Sequence, residues 1–263
     1  TTDLDLKSVC YKVDGTPEND KSWIPIGESN YFYGFFDGAG YSISNLYINV
    51  PNGGYLGLFG SIGLETIVKN LSLVNVDIKG YAYIGGLAGT ANSASIQNCF
   101  VSGRISGHAI IGGVLGESYG SIVENSINTA NISGFTSVGG VVGDNTYGNM
   151  EYSINTGSVR GSISVGGLAG DGYSDSFLFC YYDKQMAPVG GFKGKEEEGS
   201  AEGKLTSEMT NGSLFGTNSN WSEASGRYPI PKVLDNNQTA KIASLLILLS
   251  NSEAVDNVKT NFS

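Results

Sequence analysis

A glycine-rich loop whose last glycine is Gly60 recurs with its last glycine at Gly89, Gly116, Gly143 and Gly170, in steps of 29, 27, 27 and 27 residues. Four of the five copies read "YIGGLAG", "IIGGVLG", "SVGGVVG" and "SVGGLAG", and the first is the looser "YLGLFG". Taken alone, Ser137–Asn149 ("SVGGVVGDNTYGN") resembles a phosphate-binding loop. A nucleotide loop, however, normally occurs once per domain, and no copy here carries the Gly-Lys-Ser/Thr ending that would hold phosphate and magnesium. The loop is one element of a repeating unit, and a period of this length points to a solenoid.

Other positions keep the same step. A second glycine series runs through Gly80, Gly107, Gly134 and Gly161. Apolar columns run through Ile78, Ile105, Ile132 and Val159; Ile84, Ile111, Val138 and Val165; Leu87, Val114, Val141 and Leu168; and Ile96, Val123, Met150 and Phe177. A small residue recurs at Ser72, Cys99, Ser126, Ser153 and Cys180. Within each unit the apolar residues alternate over short stretches separated by Gly or Ser, with no helical period. One unit cannot bury its apolar face alone, but stacked units can. The pattern predicts an all-β chain: a parallel β-helix with ~27-residue coils, equivalent residues stacked about 4.8 Å apart and apolar columns inside. The Gly-Gly pairs are expected to turn corners with φ > 0 and to leave no Cβ to collide with the next coil.

Composition fits an extended surface rather than a helical enzyme. Glycine accounts for 39 of 263 residues and charged residues for only 15%, while 40% hydrophobic residues suffice for a core. The net charge of −10, with 15 Lys and Arg forming no basic cluster, argues against nucleic acid or an anionic membrane as partner. The longest apolar run, Ile242–Leu249, is far short of the ~20 residues of a membrane-spanning helix. The chain begins at Thr1 without an initiator Met or signal peptide, so it is expected to belong to a larger multidomain chain.

The opening segment carries "WIPIG" (Trp23–Gly27) and "FYGFFDGAGYSISNLYI" (Phe32–Ile48), followed by the serial loops ending at Gly60 through Gly170. This order resembles the GLUG-repeat proteins over about residues 1–182. The resemblance implies a right-handed parallel β-helix in a secreted or surface-bound bacterial protein, adhesin-like or a non-catalytic region of an immunoglobulin A peptidase. It implies no reaction. Four regions are expected: an opening module over 1–54, repeat coils over 55–182, a C-terminal capping segment over 183–234, and a linker with the start of a following, immunoglobulin-like module over 235–263. Within the cap, Lys193–Lys204 ("KGKEEEGSAEGK") reads as a charged loop. "LTSEMTNGSLF" suits a short helix with Thr206 or Ser207 near its N-cap. The segment around Trp221 suits a strand that covers the last open coil.

The residues do not assemble an enzyme. The one histidine, His108, falls at a turn in a column with Phe135 and Ser162 and has no evident partner, so it reads as a surface turn residue rather than a general base, and no Ser-His-Asp set is suggested. Arg104 and Arg160 lie in different columns, and no carboxylate pair has glycosidase character. Cys99 and Cys180 share a column three coils, about 14 Å, apart, too far for a disulfide. Cys10 has no evident partner, and all three cysteines read as buried small hydrophobes.

Two columns beside the loops are candidate binding sites. Glu117, Asp144 and Asp171 each follow the last loop glycine. Stacked carboxylates repel, and Ca²⁺, with Asn145 and Asp175 as added ligands, could relieve that repulsion. The expectation is that they splay into solvent and hold no metal or other cofactor. Tyr119, Tyr147 and Tyr173 follow two or three residues further on. Either each ring covers its neighbour's loop, or the row stacks on sugar rings or anchors a protein partner. The function expected is a non-enzymatic extracellular module for adhesion or spacing, its partner a host or bacterial surface glycan or protein. The alternatives are a carbohydrate-binding or carbohydrate-active β-helix using the tyrosine edge, and a purely structural stalk.

Overall fold

The structure is a computed structural model that describes residues 2–10, 21–28, 30–173, 176–192 and 201–236. Asp175, the segment 193–200 and nearly all of the expected 235–263 linker lie outside these residues. The chain winds as a three-faced parallel β-solenoid. The broad face is a 15-stranded sheet built on the long strands Ile67–Lys79 and Ser95–Ser106 and on the shorter strands that continue them coil by coil. The other two faces are five-stranded sheets: Gly54–Leu56, Ala82–Ile84, Ala109–Gly112, Thr136–Gly139 and Ile163–Gly166 on one, and Phe59–Ile62, Ala88–Asn92, Leu115–Tyr119, Val142–Thr146 and Ala169–Tyr173 on the other. The pairings along these stacks are parallel. The one antiparallel pair among the described residues, Trp221–Ser222 with Ile230–Pro231, belongs to the cap.

The sequence columns become interior columns. Ile78, Ile105, Ile132 and Val159 are direct partners on successive coils, as are Ile96, Val123, Met150 and Phe177. All eight are buried. Inward alternation also buries a polar pair. Asn128 donates through Nδ2 to Asn155 Oδ1 (2.8 Å) and to the Ala130 carbonyl (3.0 Å), while its Oδ1 accepts the Ala130 N–H (3.0 Å). Asn155 repeats the pattern with Gly157. Each asparagine thereby satisfies the backbone of the next corner, which makes a buried amide tolerable.

The small-residue column departs from the reading at its first member. Ser72 pairs with Phe100, and Leu71 is the residue opposite Cys99. The step between these two coils is 28 residues until a bulge between Val101 and Gly103 restores 27, with Gly103 at φ +122°. Cys99, Cys180 and Cys10 are free and buried, and burial pushes the Cys99 and Cys180 thiols up to about 12.

The loop glycines serve a different purpose from the corner expected of them. Positive φ falls just before the Gly-Gly pair, at Tyr83, Ile110, Ser137 and Ser164 (+51° to +56°), while the paired glycines stay outside the left-handed region. What they supply is space. A Cβ on Gly113 would lie 2.1 Å from the Asn128 side chain, and one on Gly167 2.3 Å from the Tyr182 ring.

The cap contains the strand and short helix expected, but the Trp221 strand packs on the outer face of the broad sheet rather than over the last open coil. Ala201–Lys204, read as loop, instead pairs in parallel with Cys180–Asp183 and adds the last rung. In the helix Thr206–Met209, Thr206 is the first helical residue, beside the N-cap as expected. Leu205 is the N-cap, and its N–H donates to the Glu208 carboxylate (2.6 Å). The Thr206 hydroxyl donates to Asp183 Oδ2 (2.6 Å). From there the chain turns back along the outside of the broad face. Met209, Trp221, Tyr228 and Leu234 form a second core with Val74, Phe100, Ile127 and Ile154, outward-facing residues of four successive coils. Trp221 Nε1 donates to Asn125 Oδ1 (3.2 Å).

Asp183 is the junction of coil and cap. Fully buried, it accepts from the Tyr228 hydroxyl (2.5 Å), the Thr206 hydroxyl (2.6 Å) and the Gln185 N–H (2.8 Å). Asp183→Ala leaves these donors without their acceptor and is expected to cost on the order of 3 kcal/mol, read as a lower urea midpoint. A loss under ~1 kcal/mol would mean that the cap is held by its apolar contacts alone.

Candidate functional site

Both candidate columns lie where Leu115–Tyr119, Val142–Thr146 and Ala169–Tyr173 run out into the turns that lead to the broad face. Backbone pairing places Glu117 against Asp144 and Asp144 against Asp171, so the carboxylates do share a column. All three are half-buried, and each is held by its own local bond. Glu117 accepts from the Thr90 hydroxyl (2.9 Å), Asp144 from the Thr146 hydroxyl (2.7 Å) and Asp171 from the Gly172 N–H (2.8 Å). Burial pushes the Glu117 carboxyl above its usual range; the Thr90 bond opposes this and the Asp144 charge adds to it. Asn145, considered as an added ligand, is buried with its amide donating to the Gly148 carbonyl (3.2 Å). Its strand neighbour Asp144 points to the other face, as alternation requires. Among the described residues, no three acidic, Cys or His groups converge in a metal-ligating cluster.

The tyrosines form one row. Ring centroids of Tyr119 and Tyr147 are 5.5 Å apart at 85°, and those of Tyr147 and Tyr173 are 5.6 Å apart at 89°. The register explains how. Tyr119 and Tyr173 both pair with Thr146, so Tyr147 sits one residue past the column. A left-handed backbone at Tyr147 (φ +55°) carries the ring into the row between its neighbours. Edge-to-face contact suits the ring quadrupole, yet the rings remain 47%, 50% and 67% exposed.

The sequence column of His108 with Phe135 is a second row, which Tyr81 extends. His108, which lacked an evident partner in the sequence, is exposed and lies between Tyr81 (5.0 Å, 16°) and Phe135 (5.1 Å, 8°) in a continuous stack. Tyr81 precedes His108 by one 27-residue step, so the column itself was the available signal. A third stack pairs Tyr55 with Tyr83 (4.7 Å, 3°). Arg104 is bound bidentately to Asp77 (2.9 and 2.8 Å), an exposed structural pair. The site is thus a set of aromatic rows on the solenoid edges, with hydroxyl and amide groups between them. It offers aromatic faces and edges to solvent.

The family profile described as "The GLUG motif" matches residues 80–106, one coil of the repeat. The chain is 40% identical over 103 residues, 38% of its length, to a protein of Evansella cellulosilytica provisionally named a Gly-rich membrane protein. It is 31% identical over 109 residues, 40% of its length, to Halomucin of Haloquadratum walsbyi. It spans only 11% and 1% of these two relatives. Among solved structures, a Bacteroides ovatus protein provisionally named an immunoglobulin A1 protease aligns with a TM-score of 0.64 over 88% of this chain and 84% of that one, at 18% identity. Identity at that level speaks to the fold alone. The resemblance to GLUG-repeat proteins and the β-solenoid read from the sequence both hold.

Proposed function

We propose that this chain is a non-enzymatic, extracellular β-solenoid module of a bacterial surface protein, which presents its aromatic edges for adhesion. The observation that carries this reading is the exposed Tyr119–Tyr147–Tyr173 row. Three adjacent tyrosines on one rigid edge give a large amphipathic contact area, ring faces alternating with ring edges, at low cost in side-chain entropy, as in protein paratopes. The names of the two relatives, a Gly-rich membrane protein and Halomucin, support a surface setting. Among the described residues, no helix is long and apolar enough to cross a membrane.

The test is adhesion under flow: beads carrying the chain are passed over glycoprotein-coated and bare surfaces. Retention on glycoprotein should fall at least tenfold when Tyr119, Tyr147 and Tyr173 are all changed to Ser, because such anchors dominate interface energetics. Unchanged retention by a folded triple variant would reject the row as the adhesive edge and leave a spacing stalk.

In this reading the carboxylate column needs no cation. Millimolar Ca²⁺ should raise the melting temperature no more than NaCl of equal ionic strength does, since a specific ion would stabilise the folded state by RT ln(1 + [L]/Kd). A Ca²⁺-specific rise that Asp144→Asn removes would instead place a cation at this column.

A further inference from the structure

A corner of the broad face changes character along the solenoid. Asn70, Asn98 and Asn125 stand there on three successive coils, all left-handed (φ +56°, +52° and +47°). Asparagine is a favoured non-glycine residue for that backbone. On the next two coils the same corner holds Tyr152 and Phe179, still left-handed at +47° and +53°. Bulky residues with positive φ carry strain, which persists where something else over-determines it. The two rings stack (5.0 Å, 25°) beside a cleft of about 860 Å³ between the solenoid and the cap.

Packing accounts for only some of this arrangement. Phe215 of the cap stacks on Trp221 (4.5 Å) and touches Tyr181 (5.6 Å) and Tyr152 (6.0 Å), so these rings anchor the cap. Phe179 lies outside that set, with 43% of its surface exposed at the cleft. The opposite wall, from the cap loop, sets Thr217, Asn218 and Asn220 beside Leu214 and Phe215, and the Asn220 N–H donates to Asn218 Oδ1 (3.0 Å). No acidic or basic side chain among the described residues lines the cleft. In a chain of net charge −10, an uncharged cleft with apolar ring faces on one wall and hydroxyl and amide groups on the other selects its ligand. A charged ligand would lose its hydration without an ionic partner. A purely apolar one would leave the wall amides and hydroxyls desolvated and unpaired. A neutral sugar has both an apolar ring face and hydroxyls, and the volume lies within the range of small-ligand sites, ~300–1,000 Å³.

We propose that the cleft between the Tyr152–Phe179 corner and the cap loop is a binding site for a short uncharged oligosaccharide. This rests on the adhesive reading of the module but uses a different surface from the tyrosine row. The experiment is a panel of immobilised neutral gluco-, galacto-, manno- and N-acetylhexosamine oligomers, with acidic and sulfated oligomers alongside. The strongest neutral binder is then titrated against the emission of Trp221, which stacks on Phe215; Trp23 is the only other tryptophan. Phe179→Asn installs the residue that the corner carries on earlier coils, so the fold should persist, and affinity should fall about tenfold or more. Asn218→Ala, on the opposite wall, is the second variant and should weaken binding several-fold. The Tyr119/Tyr147/Tyr173→Ser variant should bind the oligomer as the parent does. The proposal is overturned if no neutral oligomer binds, if only charged oligomers bind, if neither cleft variant weakens binding, or if binding is lost with the tyrosine row instead. Loss of bead adhesion in the row variant together with loss of oligomer binding in the cleft variants would uphold both readings, whereas loss of oligomer binding in the cleft variants with bead adhesion unchanged in the row variant would uphold only this one.

Discussion

Val123→Asp is expected to cost several kcal/mol or to abolish folding. Val123 is fully buried between Ile96 and Met150, its direct partners on the coils either side, and Phe177 extends the same column. A carboxylate there would have apolar neighbours above and below and no donor in the column. An uncompensated buried charge costs roughly 3–5 kcal/mol, against a total stability of ~5–15 kcal/mol for an ordinary domain. In a solenoid the loss is not confined to one residue, because each coil supplies the surface on which its neighbours bury theirs. Far-UV circular dichroism and urea titration read the outcome, with Val123→Ala as a smaller, uncharged lesion. A parent-like urea midpoint for Val123→Asp would place the side chain outside the core.

The second large effect is expected at a glycine. A Cβ on Gly143 would stand 2.5 Å from the Ile111 nitrogen, 2.6 Å from the Gly116 carbonyl oxygen and 2.7 Å from the Ile110 carbonyl carbon. All three are backbone atoms of the preceding coil, so no side chain can swing aside to make room. Gly143→Ala must push neighbouring rungs apart and is expected to cost about 3 kcal/mol or more, at the upper end of overpacking effects. Gly216→Ala is the comparison. That residue is left-handed (φ +59°) with open space around it, so only the backbone cost of ~1–2 kcal/mol applies. Equal losses in the two variants would mean that the loop glycines matter for chain freedom rather than for close approach.

Strict periodicity is what made the core legible. Ile105 and Ile132 had to share a column once the step was 27, because parallel rungs leave an interior residue only the positions directly above and below it. Where the step changed, legibility failed. Ser72 was aligned with Cys99 although a bulge near Gly103, invisible in the residue types, shifts it by one. The glycines showed that corners exist, but not which residue takes the left-handed conformation. The outer face of the broad sheet was missed because Phe100, Ile127 and Ile154 each follow immediately on a member of the small-residue column, Cys99, Ser126 and Ser153. Their period is the same, and only the presence of a covering segment tells a second core from an exposed stripe. The tyrosine row was legible as an edge, whereas its edge-to-face geometry depended on the backbone twist at Tyr147.

The segment that turns back along the broad face changes what the molecule does when it is pulled. A bare stack of rungs peels from its free end, one coil at a time, each breaking under the full load. Here Trp221, Tyr228 and Leu234 are seated against outward residues of four coils, and Asp183 ties their segment to the rung Cys180–Asp183, one short of the end. Tension applied at the C-terminal side therefore reaches this segment before it reaches any rung. It acts along the solenoid axis, so the contacts shear together instead of opening in turn. Contacts that shear together should give one threshold force and one large extension rather than a series of small steps.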